Sequence, residues 1–331
     1  MKSEIRQDLV SGDWIVVATE RSKRPREIKK RQEMKHPDKG DPFGDPEKFG
    51  NKVVKTIMKK DSDDWEVKII ENKYPLVTHG ACGEVMDHGP FKYRDGVGFH
   101  EVVIFRDPDK FFYDFTLEEM EVAIKTFRDR YKDILQSDKC QKFTLIFHNH
   151  GIEAGTSLAH PHSQIISVPV YPPDVNDSLE GAERYYKDTG KKVHQVMVEC
   201  AMKDEKRTVY ENDKFIALCP YASRLPYEVR IYPKDFSACF DALSDEDSKE
   251  FAVILQIVLK KIYKGLNDPP YNFYIHTAPG DENFTCLASE FYTWHIEILP
   301  KLSTLAGFEL GSGIDVNAVD PEEAAEMLRN S

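Results

Sequence analysis

Two histidines one residue apart, His160 and His162, stand in the run GTSLAHPHSQIISVPV (Gly155 to Val170), with Gln164 two positions further on. Read as a strand, this run would project all three side chains from one face. A neutral imidazole nitrogen is a good nucleophile towards phosphorus, and the resulting phosphoramidate is readily cleaved again, which suits a double displacement. The nucleophile needs its other ring nitrogen held by an acceptor, and a nearby backbone carbonyl would serve. It also needs donors for charge developing on phosphoryl oxygens. Gln164 offers a side-chain amide, while Ser157 and the loop from Gly155 offer a hydroxyl and backbone N–H groups. The small residues of GIEAGTS, just upstream, let backbone approach an anion closely. The competing reading of such a pair is two hydrogen-bonded core histidines or two zinc ligands.

The elements that would position these residues recur along the chain. Asn72 in IIENKYPLV matches Asn212 in VYENDKFIAL, and GFHEVVIF matches LPYEVRIY, each pair reading as a turn and a half-buried strand. A helix follows in each half, TLEEMEVAIKTFRDRYKDIL and LSDEDSKEFAVILQIVLKKIYKGL, with apolar residues at helical spacing and acidic residues at the start. KFTLIFHN then matches YNFYIHTA, and HPHSQII matches TWHIEIL, setting Thr293, His295 and Glu297 against His160, His162 and Gln164. The spacing predicts an α+β fold of two tandem units, each an antiparallel sheet with one long helix. Their expected bounds are 1–170 and 193–331, joined by a polar, helical linker over 171–192 that starts at a Pro-Pro break. One copy keeps His-x-His-x-Gln and the other has Thr-x-His-x-Glu, so the first is expected to do the chemistry.

Composition narrows the class. The 331 residues carry a net charge of −12, which argues against a nucleic-acid surface. No apolar run approaches the roughly 20 residues that span a bilayer. The first residues lack the apolar core of a signal peptide, so a cytoplasmic protein is expected. The six cysteines show no metal or redox spacing and read as reduced core residues. His100 reads as a strand-end packing residue, His194 as solvent-facing, and the polar segment from about 31 to 64 as a mobile surface loop.

These segments resemble the galactose-1-phosphate uridylyltransferase family of the histidine triad superfamily. The likeness covers nearly the whole chain: EIRQDLVSGDWIVVATERSKRP, ENKYPLV, HPHSQ and GFELGSGIDVNAVDPEEAAEMLR occur in the family's order. The resemblance implies half-barrel sheets, with His162 as the residue that becomes nucleotidylated and Gln164 bonding the phosphoryl oxygens. It implies that Asn149 and Ser157 touch the phosphates, that Asn72 lies near the ribose or base, and that Arg21 and Arg24 lie near the phosphate site. Phe308 and Glu309 match positions near the sugar phosphate, which can act on a partner subunit's site, so a homodimer is implied. The implied reaction exchanges UMP between UDP-glucose and a hexose 1-phosphate such as galactose 1-phosphate. Two alternatives share the fold: phosphorolysis of an ADP-sugar or a dinucleoside polyphosphate, and a catalytically silent nucleotide-binding module.

The departures concern metal. Where the family often reads C-P-F-C, this chain reads DPFG, so Asp41 and Gly44 replace both thiolates, and Asp109 stands where a further histidine ligand can occur. Only His160 would remain of four ligands, and structural zinc normally needs four. Little or no structural zinc is therefore expected, with His276, His295 and Glu297 as an alternative metal set.

Overall fold

The computed structural model describes residues 3–23, 40–137, 141–280, 286 and 288–331. A hairpin of β1 (Glu4–Gln7) and β2 (Trp14–Val17) opens the chain. Then come β3 (Val53–Met58), β4 (Trp65–Glu71), a small hairpin of β5 (Met86–His88) and β6 (Phe91–Tyr93), and β7 (Phe99–Phe105). Helix α1 (Leu117–Ser137), β8 (Phe143–His150) and β9 (His162–Val168) complete the first half. Helices α2 (Pro173–Thr189) and α3 (Val193–Asp204) lead into β10 (Thr208–Glu211), β11 (Phe215–Leu218) and β12 (Val229–Pro233). Helix α4 (Asp245–Leu266), β13 (Tyr271–His276), β14 (His295–Pro300), α5 (Gly307–Ser312), β15 (Val316–Asn317) and α6 (Pro321–Arg329) follow.

Ten strands form one antiparallel sheet in the order β10-β11-β12-β14-β13-β8-β9-β7-β4-β3. Outward from the β13–β8 pairing, β8-β9-β7 and β13-β14-β12 repeat the order of matched strands within one continuous sheet, but the match of Asn72 to Asn212 is corrected: β4 pairs directly with β7, whereas β11 stands between β10 and β12. The fold is α+β, with helices α1 and α4 on one face of that sheet. α1 starts at a reciprocal cap: Thr116 Oγ1 accepts from the N–H of Glu119 (3.2 Å), and Glu119 Oε2 accepts from the N–H of Thr116 (2.7 Å). α4 starts where Ser244 Oγ accepts from the N–H of Asp247, with three acidic residues in the first turn. Both then bury an apolar stripe, Met120, Ile124, Phe127 and Tyr131 from α1 with Phe251, Leu255, Val258 and Ile262 from α4, in one core with Trp294.

Three expectations are corrected. Residues 53–58 are strand β3, paired along β4, so the segment from 31 to 64 is not one surface loop; residues 24–39 within it lie outside the described residues. Cys239 and Cys286 form a disulfide across 47 residues of sequence, and Cys82 is disulfide-bonded as well, while Cys200 and Cys219 are free. Pairs brought together only by the fold carry no spacing signature. His194, on α3, is buried against Tyr292 and His295, because α3 packs its apolar face on the second half of the sheet. Among the described residues no helix is long and apolar enough to cross a membrane.

Candidate active site

Pro161 shapes the histidine segment. It has no N–H to give a ladder, and β9 begins only at His162, so His160 lies outside the strand. His162 and Gln164 share one strand face, and His160, just before the strand, meets the same Phe43 ring as His162 (ring centres 6.0 and 5.0 Å). The His160 ring turns into the protein, where Nδ1 donates to Asp41 Oδ2 (2.6 Å) and Nε2 to the carbonyl of Phe105 (2.5 Å).

His162 has the geometry a nucleophile requires. Its Nδ1 donates to the carbonyl of His160 at 2.9 Å, which leaves Nε2 with its lone pair. The ring borders a cleft lined by Asn149, Gly151, Thr156 and Pro161, and the edge of Phe43 packs on it with ring centres 5.0 Å apart. Burial pushes His162 below the ordinary imidazole value; the bond to the His160 carbonyl opposes this shift and the charge of His160 adds to it. Beneath it, His148 donates from Nδ1 to the His162 carbonyl (2.8 Å), and burial holds His148 well below the usual histidine range. Nucleophilic attack needs the neutral ring, so protonation of His162 removes activity as pH falls. Because the pKa is depressed, the acid limb of kcat/KM is expected below pH 6.5, the ordinary value, with a plateau above it. A limb centred above 6.5 would contradict the assignment.

The other expected residues are partly gathered here. In antiparallel register His148 pairs with Ser163, so Asn149 and His162 are neighbours at the cleft end of β8 and β9. Gly155 has φ +92°, a left-handed turn that suits glycine, and a side chain there would approach the Asn149 amide nitrogen at 3.7 Å. Ser157 is exposed on the same loop. Asn72 follows β4, and its Nδ2 lies 3.0 Å from His100 Nε2, beside Gln164. Arg21 sits on the short turn Thr19–Lys23, and Arg24 lies outside the described residues. Phe308 is exposed on α5, and Glu309 accepts from the N–H of Ala306; neither has a hydrogen bond or ring contact with residues around His162.

His100 is the residue that sequence reasoning misread as packing. It is buried with both ring nitrogens in polar contact: Nδ1 accepts from the N–H of Leu76 (3.0 Å), and Nε2 lies 2.8 Å from Gln164 Oε1. The signal was its parity: in register Val102 pairs with Gln164, so His100 shares the face of Gln164.

The family's zinc does not fit the residues present. A zinc ion would need Asp41 and His160 ligand atoms each about 2.0–2.2 Å away from it, whereas these atoms are hydrogen-bonded to each other at 2.6 Å. Gly44 offers no ligand, and a side chain there would meet Asp41 Oδ2 at 2.9 Å. Burial raises the Asp41 carboxyl, but hydrogen bonds from His160 and the N–H of Phe43 outweigh it and hold Asp41 below its ordinary value. The pair thus ties the loop carrying Phe43 to the histidine segment without metal. Dialysis against a chelator is expected to leave the thermal midpoint unchanged, while Asp41→Ala lowers it; a chelator-induced drop would contradict this reading.

In the second half, ligand atoms of His276, His295 and Glu297 lie within 4.8 Å of one another. The carboxylate is already engaged, however, by Arg230 Nε (3.0 Å), Arg224 Nη2 (3.0 Å) and Tyr274 Oη (2.8 Å). Burial opposes ionisation, yet Arg230 above all keeps Glu297 well below the usual carboxylate range. Two guanidiniums at one buried carboxylate do not fit a divalent cation as well. His295 repeats the geometry of His162, Nδ1 donating to the carbonyl two residues back (3.1 Å), but a carboxylate replaces the amide. That negative charge would repel a phosphoryl group.

A continuous antiparallel sheet carrying one His-x-Gln strand face at a cleft fits the nucleotidyltransferase class. The model of the galactose-1-phosphate uridyl transferase N-terminal domain matches residues 1–172, and that of a domain of unknown function matches 113–330. The chain belongs to the galactose-1-phosphate uridylyltransferase family. It is 32% identical to an ADP-glucose phosphorylase of Arabidopsis thaliana, over 98% of this chain and 92% of that one. It is 30% identical to a galactose-1-phosphate uridylyltransferase of Thermotoga maritima, over 99% and 98%. The crystal structure of an ADP-glucose phosphorylase from Arabidopsis thaliana with bound ADP-glucose superposes with a TM-score of 0.83 at 29% identity, covering 100% and 99% of the two chains.

Proposed function

We propose that the protein moves a nucleoside monophosphate from a nucleotide sugar to a phosphate-bearing acceptor in two displacements at His162. The observation that carries this is the single hydrogen bond from His162 Nδ1 to the His160 carbonyl, which fixes the tautomer and leaves Nε2 at the cleft. In the first displacement Nε2 bonds to the α-phosphorus, and the bond from phosphorus to the sugar phosphate breaks. In the second an acceptor oxygen bonds to phosphorus and the P–N bond breaks, returning the neutral imidazole. Gln164, Asn149 and the Gly155–Ser157 loop are assigned to donate to phosphoryl oxygens, with Ser157 adding a hydroxyl. Asn72 is assigned to the nucleoside, Arg21 and Arg24 to the phosphates, and His160 to holding the Phe43 loop against His162.

The first reading takes UDP-glucose as donor and a hexose 1-phosphate as acceptor, in line with the Thermotoga maritima relative. A second reading takes ADP-glucose and inorganic phosphate, and the likeness to the Arabidopsis thaliana ADP-glucose phosphorylase favours it. Product formation from UDP-glucose with galactose 1-phosphate, measured beside that from ADP-glucose with phosphate, decides between them. Turnover of neither pair would count against the proposal. Exposed Leu305, Phe308 and Leu310 around α5 support a homodimer in which these residues reach the partner's site. Light scattering that finds only a monomer would remove that arrangement.

A further inference from the structure

A side-chain amide can face a phosphoryl group with either end, and only its NH2 end stabilises developing negative charge. Gln164 and Asn149 are therefore useful only in one orientation each. For Gln164 the orientation follows from His100. With Nδ1 accepting from the N–H of Leu76, Nε2 of the neutral ring carries the hydrogen. Its acceptor at 2.8 Å is Gln164 Oε1, because the Asn72 amide nitrogen, 3.0 Å away, is itself a donor and its Oδ1 already accepts from the N–H of Tyr74.

For Asn149 the orientation follows from the second half of the chain. Asn272 on β13 stands directly across from Asn149 on β8. Its Nδ2 donates to Asn149 Oδ1 (2.7 Å) and to the carbonyl of Ala154 (2.8 Å), so both of its hydrogens meet carbonyl oxygens. Asn149 must then present its oxygen to Asn272 and its nitrogen towards the gap left by Gly155.

Resting on the reading of His162 as nucleophile, we infer that His100 and Asn272 are positioning residues, each holding the oxygen end of an amide so that its NH2 end faces the transferred phosphoryl group. Neither touches that group. The halves contribute one each, which gives the second copy a part in the chemistry although its own strand carries Glu297 in place of the amide.

The test is single-turnover labelling of the full chain at saturating UDP-glucose or ADP-glucose, whichever labels the wild type, with thermal midpoints measured in parallel. Asn272→Asp is nearly isosteric but sets a carboxylate against two carbonyl oxygens, so Asn149 turns its oxygen to the phosphoryl group. The labelling rate is expected to fall on the order of 10²-fold, as for loss of one oxyanion donor, with a much smaller change in the donor concentration giving half-maximal rate. Asn272→Ala, which leaves the amide undirected, should fall between wild type and Asn272→Asp. His100→Gln, which keeps an N–H donor, should retain more activity than His100→Phe. Wild-type labelling rates in Asn272→Asp and His100→Phe, or losses that follow only the thermal midpoints, would overturn the inference. A wild type that turns over without any adduct would instead overturn the nucleophile, and the inference with it.

Discussion

Alanine at position 162 is expected to reduce turnover by roughly four to six orders of magnitude, as removal of a covalent nucleophile does elsewhere. His162 is buried beside Phe43, and its ring makes one hydrogen bond, to the His160 carbonyl. The substitution thus removes the attacking nitrogen while sparing the ladder that β9 forms with β7 and β8. The cavity costs some stability, so the comparison is made well below the variant's thermal midpoint. His148 also keeps an unbonded Nε2, but it lies on the opposite sheet face from His162, buried against Phe112 and Phe273, and both nitrogens of His160 are engaged. Retention of more than about 1% of wild-type kcat would remove His162 from the mechanism.

The second large effect concerns stability. Glu101 is fully buried on β7 and is met by Arg130 of α1 in a two-pronged pair, Nε to Oε2 at 2.6 Å and Nη2 to Oε1 at 2.5 Å. Burial works against the Arg130 charge, but Glu101 outweighs it and raises the guanidinium above its ordinary value. Arg130→Met leaves a carboxylate sealed in the core without a partner, at a cost of about 3–5 kcal/mol. Removing the carboxylate too, in Glu101→Met with Arg130→Met, is expected to recover most of that loss, because the penalty belongs to the unpaired charge. Denaturant unfolding of both variants measures this. A single variant within about 1 kcal/mol of wild type would show that the pair is not structurally important. Glu228, matched to Glu101 by the repeat, is likewise buried and bonded to an arginine, Arg230.

Much of this was legible in the sequence because it depends on local periodicity. Helices α1 and α4, the strands around them and the His162–Gln164 face follow from 3.6-residue and two-residue repeats, and the tandem match set His295 against His162. The structure gives these two histidines the same bond to a carbonyl two residues back. What was not legible depends on distant partners. That His100 orients Gln164 requires the β7–β9 register, and that Asn272 faces Asn149 requires the two halves to join at β8 and β13. The Asp41–His160 bond spans 119 residues, so the sequence could reveal the missing thiolates but not what replaced them. The strand begins at His162, two residues after His160, because Pro161 has no N–H for the ladder.

The central claim is that the nucleotide passes through His162. The most direct measurement mixes the protein with UDP-glucose or ADP-glucose, quenches in alkali to preserve an acid-labile P–N bond, and maps the adduct by peptide mass spectrometry. The account predicts one added nucleoside monophosphate on His162, discharged when the acceptor is supplied. An adduct on any other residue, or turnover with no adduct at all, would contradict it.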